Sequence, residues 1–175
     1  MKTFTIFLKE ALENTSEPKK VSLFLGRFQP FHIGHTKIFN MMKYKPMILL
    51  VKGAKSSLDK NKNPLSVEYQ KKLIKTMAPN AEIRVVANAN LKAIIGFIEA
   101  DGYKVSEILA GEDRMSRYKA QVTKYYPAVE FTETPRFTSA TEVRNAIKSN
   151  DEATFKKLMP SKLYGEWNTL RKLIQ

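Results

Sequence analysis

The apolar and polar residues of this chain follow two different periods. Short, nearly continuous apolar runs are typical of strands buried on both faces of a parallel sheet, whereas apolar residues three and four apart are typical of amphipathic helices. The runs predict strands over residues 21–25, 46–51, 82–87, 107–110 and 129–132. The helical spacing predicts helices over residues 33–42, 67–77, 91–100, 114–125, 139–148, 151–158 and 161–174.

Strands and helices alternate along most of the chain. This alternation predicts an α/β fold, a Rossmann-like doubly wound parallel sheet of five strands with helices on both faces and further helices at the C-terminus. We expect one domain over residues 21–175, with the C-terminal helices starting at about residue 151. Residues 1–20 are predicted to form a helical extension and linker that packs on the domain's own surface, because apolar residues share one helical face there: Phe4, Phe7, Leu8 and Leu12.

Composition narrows the class of protein. The chain has 30 Lys and Arg against 17 Asp and Glu, and this net charge of +13 creates a field that attracts phosphate-rich ligands. The even scatter of the lysines favours a solvated surface over a nucleic-acid or nucleotide interface. There are no cysteines, which excludes disulfides and thiolate metal sites and fits a reducing compartment. Because no apolar run approaches the ~20 residues that cross a bilayer, and Lys9 and Glu10 interrupt the N-terminal apolar stretch, we expect a soluble cytoplasmic protein without membrane contact.

Three polar segments follow predicted strands. They read GRFQPFHIGH at 26–35, AGEDR at 110–114 and PRFTSATEVR at 135–144. The carboxyl ends of parallel strands meet at one edge of the sheet, and ligands bind there at the point where the strand order changes direction. The sequence therefore predicts one site built from all three segments.

Both histidines of the chain lie in the first segment, one helical turn apart. Gly26 lets the chain turn sharply out of the strand, and the N-terminus of the following helix favours anions. His32 and His35 can then face one ligand, and Gly34 between them leaves room for it. Phosphate binding ranks first. A zinc site ranks second because no third ligand sits at a fitting distance in the sequence, and two histidines that only cap the helix rank last.

The residues His32-Ile33-Gly34-His35 resemble the HxGH motif of the nucleotidyltransferase superfamily, also called the cytidylyltransferase-like family. A second motif of that family, (S/T)xTxxR, is matched by SATEVR at 139–144, and looser similarities are NPLS at 63–66 and GEDR at 111–114. The wider GRFQPFHIGH looks most like the archaeal-type nicotinamide-mononucleotide adenylyltransferases and related phage-encoded enzymes. The resemblance runs in order from about residue 21 to residue 163.

The resemblance implies transfer of AMP from ATP to a phosphorylated acceptor, with release of pyrophosphate and with Mg²⁺ accompanying ATP. It implies catalytic roles for His32 and His35, which donate hydrogen bonds to the α- and β-phosphates, and for Arg144, which holds the leaving pyrophosphate. No metal-ligating residue is assigned. The residues that it implies in ATP binding are Gly26, Arg27, Phe28, Gln29, Gly34, Gly111, Asp113, Arg114, Ser139 and Thr141.

Some of these residues also have ordinary structural interpretations. Ser139 with Glu142 three residues later is a capping box, and Asp113 suits a turn as well as a ribose contact. Gln70 stands where the resembled enzymes have an arginine, and no tryptophan follows the third strand to stack a nicotinamide. Solvation is favoured over triphosphate binding for the lysines of the loop after the second strand, Lys55, Lys60 and Lys62.

The acceptor is less well defined than the reaction. Nicotinamide mononucleotide, which would give NAD, ranks ahead of phosphopantetheine and other phosphorylated small molecules, and CTP is the alternative to ATP. A non-catalytic protein that binds nucleic acid is a second class, and a homo-oligomer is left open. The leader MKTFTIFLKEALEN resembles capsid-targeting peptides of large tailed phages, which are cleaved after sequences such as Ala11-Leu12-Glu13. A packaged phage protein, in the host cytoplasm or the virion, is therefore a third class.

Overall fold

The centre of the molecule is a sheet of five parallel strands. We describe residues 17–53 and 59–175 of a computed structural model of the chain. The strands lie in the order β3-β2-β1-β4-β5, which confirms the predicted Rossmann-like α/β fold. Their bounds are β1 Lys19–Gly26, β2 Lys45–Val51, β3 Glu82–Val86, β4 Tyr103–Gly111 and β5 Glu130–Thr134.

Helices cover both faces of the sheet. The helices are α1 Ile33–Met41, α2 Val67–Met77, α3 Leu91–Ala100, α4 Glu112–Val122, α5 Ala140–Lys148, α6 Glu152–Leu158 and α7 Trp167–Ile174. One face packs against α3 and α4, and the other packs against α1, α2 and the C-terminal helices α5 to α7. Phe155 and Trp167 belong to the second of these cores, so the C-terminal helices pack on the same sheet as the rest of the chain. Within the described ranges no helix is both long and apolar enough to span a membrane.

The central strand β1 is buried on both faces, as its apolar run predicts. Leu23 packs towards α3 and α4, and Phe24 packs towards the opposite helices. Ser22 is buried as well, and its hydroxyl donates to the carboxylate of Glu107 at 2.6 Å. Burial alone would raise the pKa of Glu107, but hydrogen bonds from Ser22, from Thr132 and from the Lys43 N–H outweigh it and hold the pKa below its usual value.

Several element bounds differ from the predicted ones. β4 begins at Tyr103 rather than at residue 107, because its more polar first half continues the pairing with β1 from Lys19 onward. α4 begins at Glu112 and ends at Val122, so it is shifted towards the strand before it. The last predicted helix is divided into a 3₁₀ turn, Ser161–Glu166, and α7. Gly165, a residue of low helix propensity, lies near the end of that turn.

The strand order changes direction between β1 and β4. From β1 the chain proceeds outward through β2 and β3, and it then returns to the other side of β1 to form β4 and β5. The carboxyl ends of β1 and β4, at Gly26 and Gly111, therefore flank the switch point where α/β sheets bind ligands.

The predicted N-terminal helix, with Phe4, Phe7, Leu8 and Leu12, and the candidate cleavage sequence at residues 11–13 lie outside the described residues, as does Lys55.

Candidate active site

A cavity of about 610 Å³ opens at the switch point. Every residue that the sequence analysis assigns to the site lines it: Gly26, Arg27, Phe28, Gln29, His32, Gly34, His35, Gly111, Asp113, Arg114, Ser139, Thr141 and Arg144. The structure thus brings together the segments that follow β1, β4 and β5. The individual chemical roles of these residues stay predictions.

The turn between β1 and α1 is shaped by an aromatic ring. Phe28 has a φ of +48°, in the left-handed region that side chains rarely adopt, and its ring is buried with an edge-to-face contact to Phe24. A Cβ on Gly26 would lie 2.9 Å from the Phe28 ring. Glycine at position 26 therefore makes room for this ring.

His32 and His35 together cap the start of α1. Nδ1 of His32 accepts a hydrogen bond from the Gly34 N–H at 3.1 Å, and Nδ1 of His35 accepts one from the His32 N–H at 3.2 Å. A neutral imidazole has one acceptor and one donor nitrogen, so these caps fix both rings with the proton on Nε2. The histidines therefore do cap the helix, as one of the three interpretations held. Capping through Nδ1 leaves both Nε2–H groups available to a ligand, so capping is compatible with phosphate binding, and the ranking of the three interpretations stays a prediction.

Both imidazoles are held uncharged. Burial lowers the pKa of His32 to about 4, and the nearby Glu142 offsets only part of this. Burial and the proximity of His32 lower the pKa of His35 well below its ordinary value. The two rings stack with centroids 3.8 Å apart, and the His35 ring lies 4.6 Å from the ring of Phe28. At neutral pH the site therefore presents two neutral N–H donors in a partly apolar setting.

Gly34 makes room for a protein group. A Cβ at this position would lie 3.0 Å from the ring of His32 and 3.1 Å from the methyl group of Thr138. Glycine at this position therefore permits close packing of α1 against the segment before α5. Gly34 also lines the cavity, and the expectation that it leaves room for a ligand stays a prediction.

The start of α5 carries a second capping box. The Ser139 hydroxyl accepts from the Glu142 N–H at 3.3 Å, and the Glu142 carboxylate accepts from the Ser139 N–H at 2.6 Å and the Ser139 hydroxyl at 2.9 Å. The Ser139 hydroxyl is thus occupied by the cap. The N–H groups of Ala140 and Thr141, the first two of α5, have no helical carbonyl to bind and have no partner in the described part of the chain, so they are suited to an anion.

Arg27 and Arg144 are two of the four arginines that line the cavity within the described part of the chain. Arg144 donates from Nη1 to the carbonyl of Gln29 at 2.6 Å and from Nη2 to the hydroxyl of Thr141 at 3.1 Å. Burial and the like charge of Arg27 lower the pKa of Arg144, and Asp59 acts in the opposite direction. Neither arginine forms an ion pair with a carboxylate within residues 17–53 and 59–175. A bound polyanion would relieve the repulsion between the two guanidinium groups.

Of the lysines in the loop after β2, Lys62 lines the cavity. Its ammonium group lies 3.2 Å from the carboxylate of Asp59, and its side chain is 68% exposed. Lys62 is therefore solvated and lies at the rim of the cavity. Lys60 is exposed and does not line the cavity.

Two buried glutamines hold the β1–α1 turn in place. The amide of Gln29 donates to the carbonyl of Leu65 at 3.0 Å and accepts from its N–H at 2.8 Å. Nε2 of Gln70 donates to the carbonyls of Arg27 and Phe28. Sequence reasoning missed these positioning roles. At Gln70, where the resembled enzymes have an arginine, the side chain fixes the backbone of the turn.

The segment after β4 is exposed to solvent from Glu112 to Arg114. Asp113 and Arg114 lie in the first turn of α4, with a distance of 3.7 Å between their charged groups, so Asp113 is helical and the turn interpretation is wrong. Phe137, which the sequence analysis did not single out, also lines the cavity, and Nζ of Lys37 lies 4.7 Å from its ring centre.

The protein is thus an α/β protein with a cavity at the switch point of its parallel sheet. A family model described as Cytidylyltransferase-like matches residues 23–152. The chain therefore belongs to the cytidylyltransferase-like family. A comparison with curated proteins gave no match.

Solved structures of two proteins share the fold. Thermotoga maritima TmcAL bound with alpha-thio ATP has a TM-score of 0.56 at 10% identity, over 86% of this chain and 55% of that chain. Plasmodium falciparum nicotinic acid mononucleotide adenylyltransferase, complexed with NaAD or with APC, has TM-scores of 0.53 and 0.54 at 14% identity, over 89% of this chain and 98% of that chain. The chain thus spans about half the length of the first protein and nearly all of the second. At these identities the likeness shows the fold alone.

Proposed function

We propose that this protein transfers AMP from ATP to a phosphate-bearing small molecule and releases pyrophosphate. Membership of the cytidylyltransferase-like family supports nucleotidyl transfer in general. The observation that carries the proposal is the meeting of the paired neutral imidazoles of His32 and His35 with the guanidinium groups of Arg27 and Arg144 in one cavity. A polyphosphate offers hydrogen-bond acceptors to the first pair and negative charge to the second.

The reaction follows from this arrangement. An oxygen of the acceptor's phosphate attacks the α-phosphorus in line, and the bond from that phosphorus to the oxygen bridging to the β-phosphate breaks, so pyrophosphate leaves with the electron pair. A phosphate nucleophile is already ionised at neutral pH, so no general base is required. His32 and His35 donate Nε2–H hydrogen bonds to the phosphate oxygens as negative charge grows there.

The leaving pyrophosphate is assigned to the start of α5. The free N–H groups of Ala140 and Thr141 and the positive end of the helix favour an anion at this place. Arg144 is anchored by Gln29 and Thr141, so its guanidinium is oriented before the ligand arrives. Such preorganisation lowers the reorganisation needed in the transition state.

We propose that Mg²⁺ enters the site bound to ATP, as part of the substrate. Magnesium in nucleotide enzymes is commonly held by phosphate oxygens, waters and one or two carboxylates. Among the residues that the structure describes, no three acidic or histidine side chains are grouped closely enough to hold a metal by themselves. The ion would supply charge neutralisation on the triphosphate.

Nicotinamide mononucleotide is the first acceptor that we propose, with NAD as the product. The support is the segment GRFQPFHIGH, which resembles the archaeal-type enzymes for that acceptor. Because of two differences from those enzymes, we also propose to test other phosphorylated compounds as acceptors. Gln70 is bonded to backbone carbonyls, and the single tryptophan, Trp167, is buried in the C-terminal core.

A pyrophosphate-release screen tests the proposal. ATP and CTP are each combined with Mg²⁺ and a panel of phosphorylated acceptors that includes nicotinamide mononucleotide and phosphopantetheine. We expect release with at least one pair, and a large loss of it in His35→Ala. Lys148→Gln is a matched control, because it removes an exposed positive charge at the far end of α5. Release that is absent from every pair, or that persists in His35→Ala, would overturn the proposal.

A further inference from the structure

A second cavity, of about 430 Å³, lies outside the candidate active site. It opens between the start of α3 and the outer side of α4, and none of its lining residues lines the first cavity. We call it the amide groove, and the residues that matter to it are Asn88, Asn90, Lys92, Arg117, Gln121 and Tyr125.

The three carboxamides of the groove have their oxygens occupied. Oδ1 of Asn88 accepts from the Asn90 N–H at 2.9 Å, and Oδ1 of Asn90 accepts from the Ala93 N–H at 3.4 Å. Oε1 of Gln121 accepts from the Leu91 N–H at 3.0 Å. These contacts fix the amides with their NH₂ groups as the remaining polar functions, and within the described part of the chain those groups have no acceptor.

Two cations complete the lining. Nζ of Lys92 lies 3.6 Å from the ring centre of Tyr125, which holds the lysine over the groove wall. Arg117 lies on α4 and forms no ion pair with any carboxylate in the described ranges. No aspartate or glutamate lines the groove. The side chains of the amide groove therefore offer NH₂ and cationic donors without a carboxylate to neutralise them.

A set of donors without a carboxylate selects an anion. We propose that the amide groove is a second binding site, which takes the phosphate or carboxylate group of a small molecule. Arg117 and Lys92 supply the charge, and the NH₂ groups of Asn88, Asn90 and Gln121 supply directed hydrogen bonds. The anionic group belongs either to the acceptor of the proposed reaction or to a separate ligand. The site itself does not rest on the proposed function.

Side-chain amide NMR signals test the site directly. Inorganic phosphate is titrated into the full chain while chloride keeps the ionic strength constant, and the NH₂ resonances of Asn88, Asn90 and Gln121 are followed. We expect saturable shifts of all three, with binding at least tenfold weaker in Arg117→Gln. Lys119→Gln is the matched control, because it removes an exposed cation from the same helix outside the groove, and it should leave the titration unchanged.

A second variant keeps the test decisive if Arg117→Gln perturbs folding. Gln121→Glu retains an oxygen for the Leu91 N–H and replaces the NH₂ group by a negative oxygen, so phosphate binding should be lost. Shifts that do not saturate, or that persist unchanged in both variants, would overturn the proposal. Loss of pyrophosphate release in the active-site variants would leave this titration unaffected, so the two proposals fail separately.

The source of the anion follows from steady-state kinetics. If the group belongs to the acceptor, Arg117→Gln raises KM for the acceptor at least tenfold and leaves kcat and KM for the nucleotide unchanged. If the ligand is separate, phosphate binding weakens in the variant and both KM values stay at their wild-type levels. Either result, with the phosphate titration, supports the groove as an anion site.

Discussion

The helices α1 and α5 both begin with a capping box, and the two boxes use different chemistry. At α5, Glu142 is an ionised cap whose pKa is lowered by the Ser139 N–H, then by the hydroxyls of Ser139 and Thr138. At α1, His32 and His35 are neutral caps that use only one nitrogen each. In the α5 box the Ser139 hydroxyl and the Glu142 carboxylate are engaged with each other, whereas the α1 box leaves two N–H donors. A capping motif made of imidazoles can therefore cap a helix and still offer hydrogen-bond donors.

The largest expected effect comes from a substitution of His35 that keeps its capping function and removes its hydrogen-bond donor. His35→Asn keeps an acceptor near the place of Nδ1 but removes the Nε2–H donor. We expect kcat to fall about 10²- to 10³-fold, the usual effect of removing one well-placed donor to transition-state charge. Steady-state pyrophosphate release measures it.

His35→Gln is the complementary variant for this test. It retains an NH₂ donor near the place of Nε2 and loses the cap, so it should keep more activity than His35→Asn and lose about 1 kcal/mol of unfolding free energy. Equal losses of kcat in both variants would show that the donor is not what the reaction uses.

The next effect concerns pH. His32 titrates near 6.5 when unfolded and near 4 when folded, so the unfolded chain takes up the proton first as the pH falls. This difference leaves the free energy of unfolding unaffected above about pH 7. Between about pH 6.5 and 4 it lowers the free energy of unfolding by about 3 kcal/mol. His35 acts in the same direction. Urea unfolding at a series of pH values should show this slope and a flatter one in His32→Asn; a flat wild-type profile would contradict the neutral cap.

A smaller effect is expected at the start of α5, where we propose that the pyrophosphate group binds. Arg144→Gln removes the charge-assisted hydrogen bonds to the ligand, and such bonds are worth about 1.5–3 kcal/mol. We expect kcat/KM for ATP to fall by about 10- to 100-fold, measured in the same release assay. Lys148→Gln, on the same helix, should leave kcat/KM unchanged. A similar fall in both variants would reduce Arg144 to a contributor to the general positive field.

The smallest effect is at the α5 cap. Ser139→Ala removes an N-cap hydroxyl, which should lower the unfolding free energy by about 1 kcal/mol and change kcat little. Urea unfolding and the release assay, run on the same preparation, measure both. A large loss of activity at unchanged stability would instead assign the Ser139 hydroxyl to the phosphates.

The sequence predicted the fold and the gathering of the site because both depend on local patterns. Apolar runs reveal the strands, and polar segments at their ends, such as 26–35 and 135–144, meet by the geometry of a parallel sheet. The positioning contacts could not be read in this way. Gln29 bonds to a residue 36 positions away and Gln70 to residues 42 and 43 positions away. The only signal was a polar side chain, Gln70, at helical spacing on the apolar face of α2.

The histidines show a second limit of sequence reasoning. Their spacing predicts two rings on one side of a helix start, but their protonation depends on burial against residues such as Phe28 and on which nitrogen the backbone occupies. The motif itself shows neither the burial of the rings nor the nitrogen that accepts the backbone hydrogen bond. The role of Gly34 likewise depends on Thr138, which lies more than a hundred positions further along the chain.

The central claim is that His32 and His35 are neutral at pH 7 and carry their protons on Nε2. Each ring then donates an Nε2–H hydrogen bond to the triphosphate. A long-range ¹H–¹⁵N spectrum of the two imidazoles, recorded with and without Mg–ATP, tests it most directly. We expect the Nε2–H tautomer for both rings, no titration between pH 6 and 8, and shifts of both Nε2 resonances when nucleotide is added. Imidazolium at pH 7, protons on Nδ1, or Nε2 resonances that do not respond to Mg–ATP would contradict it.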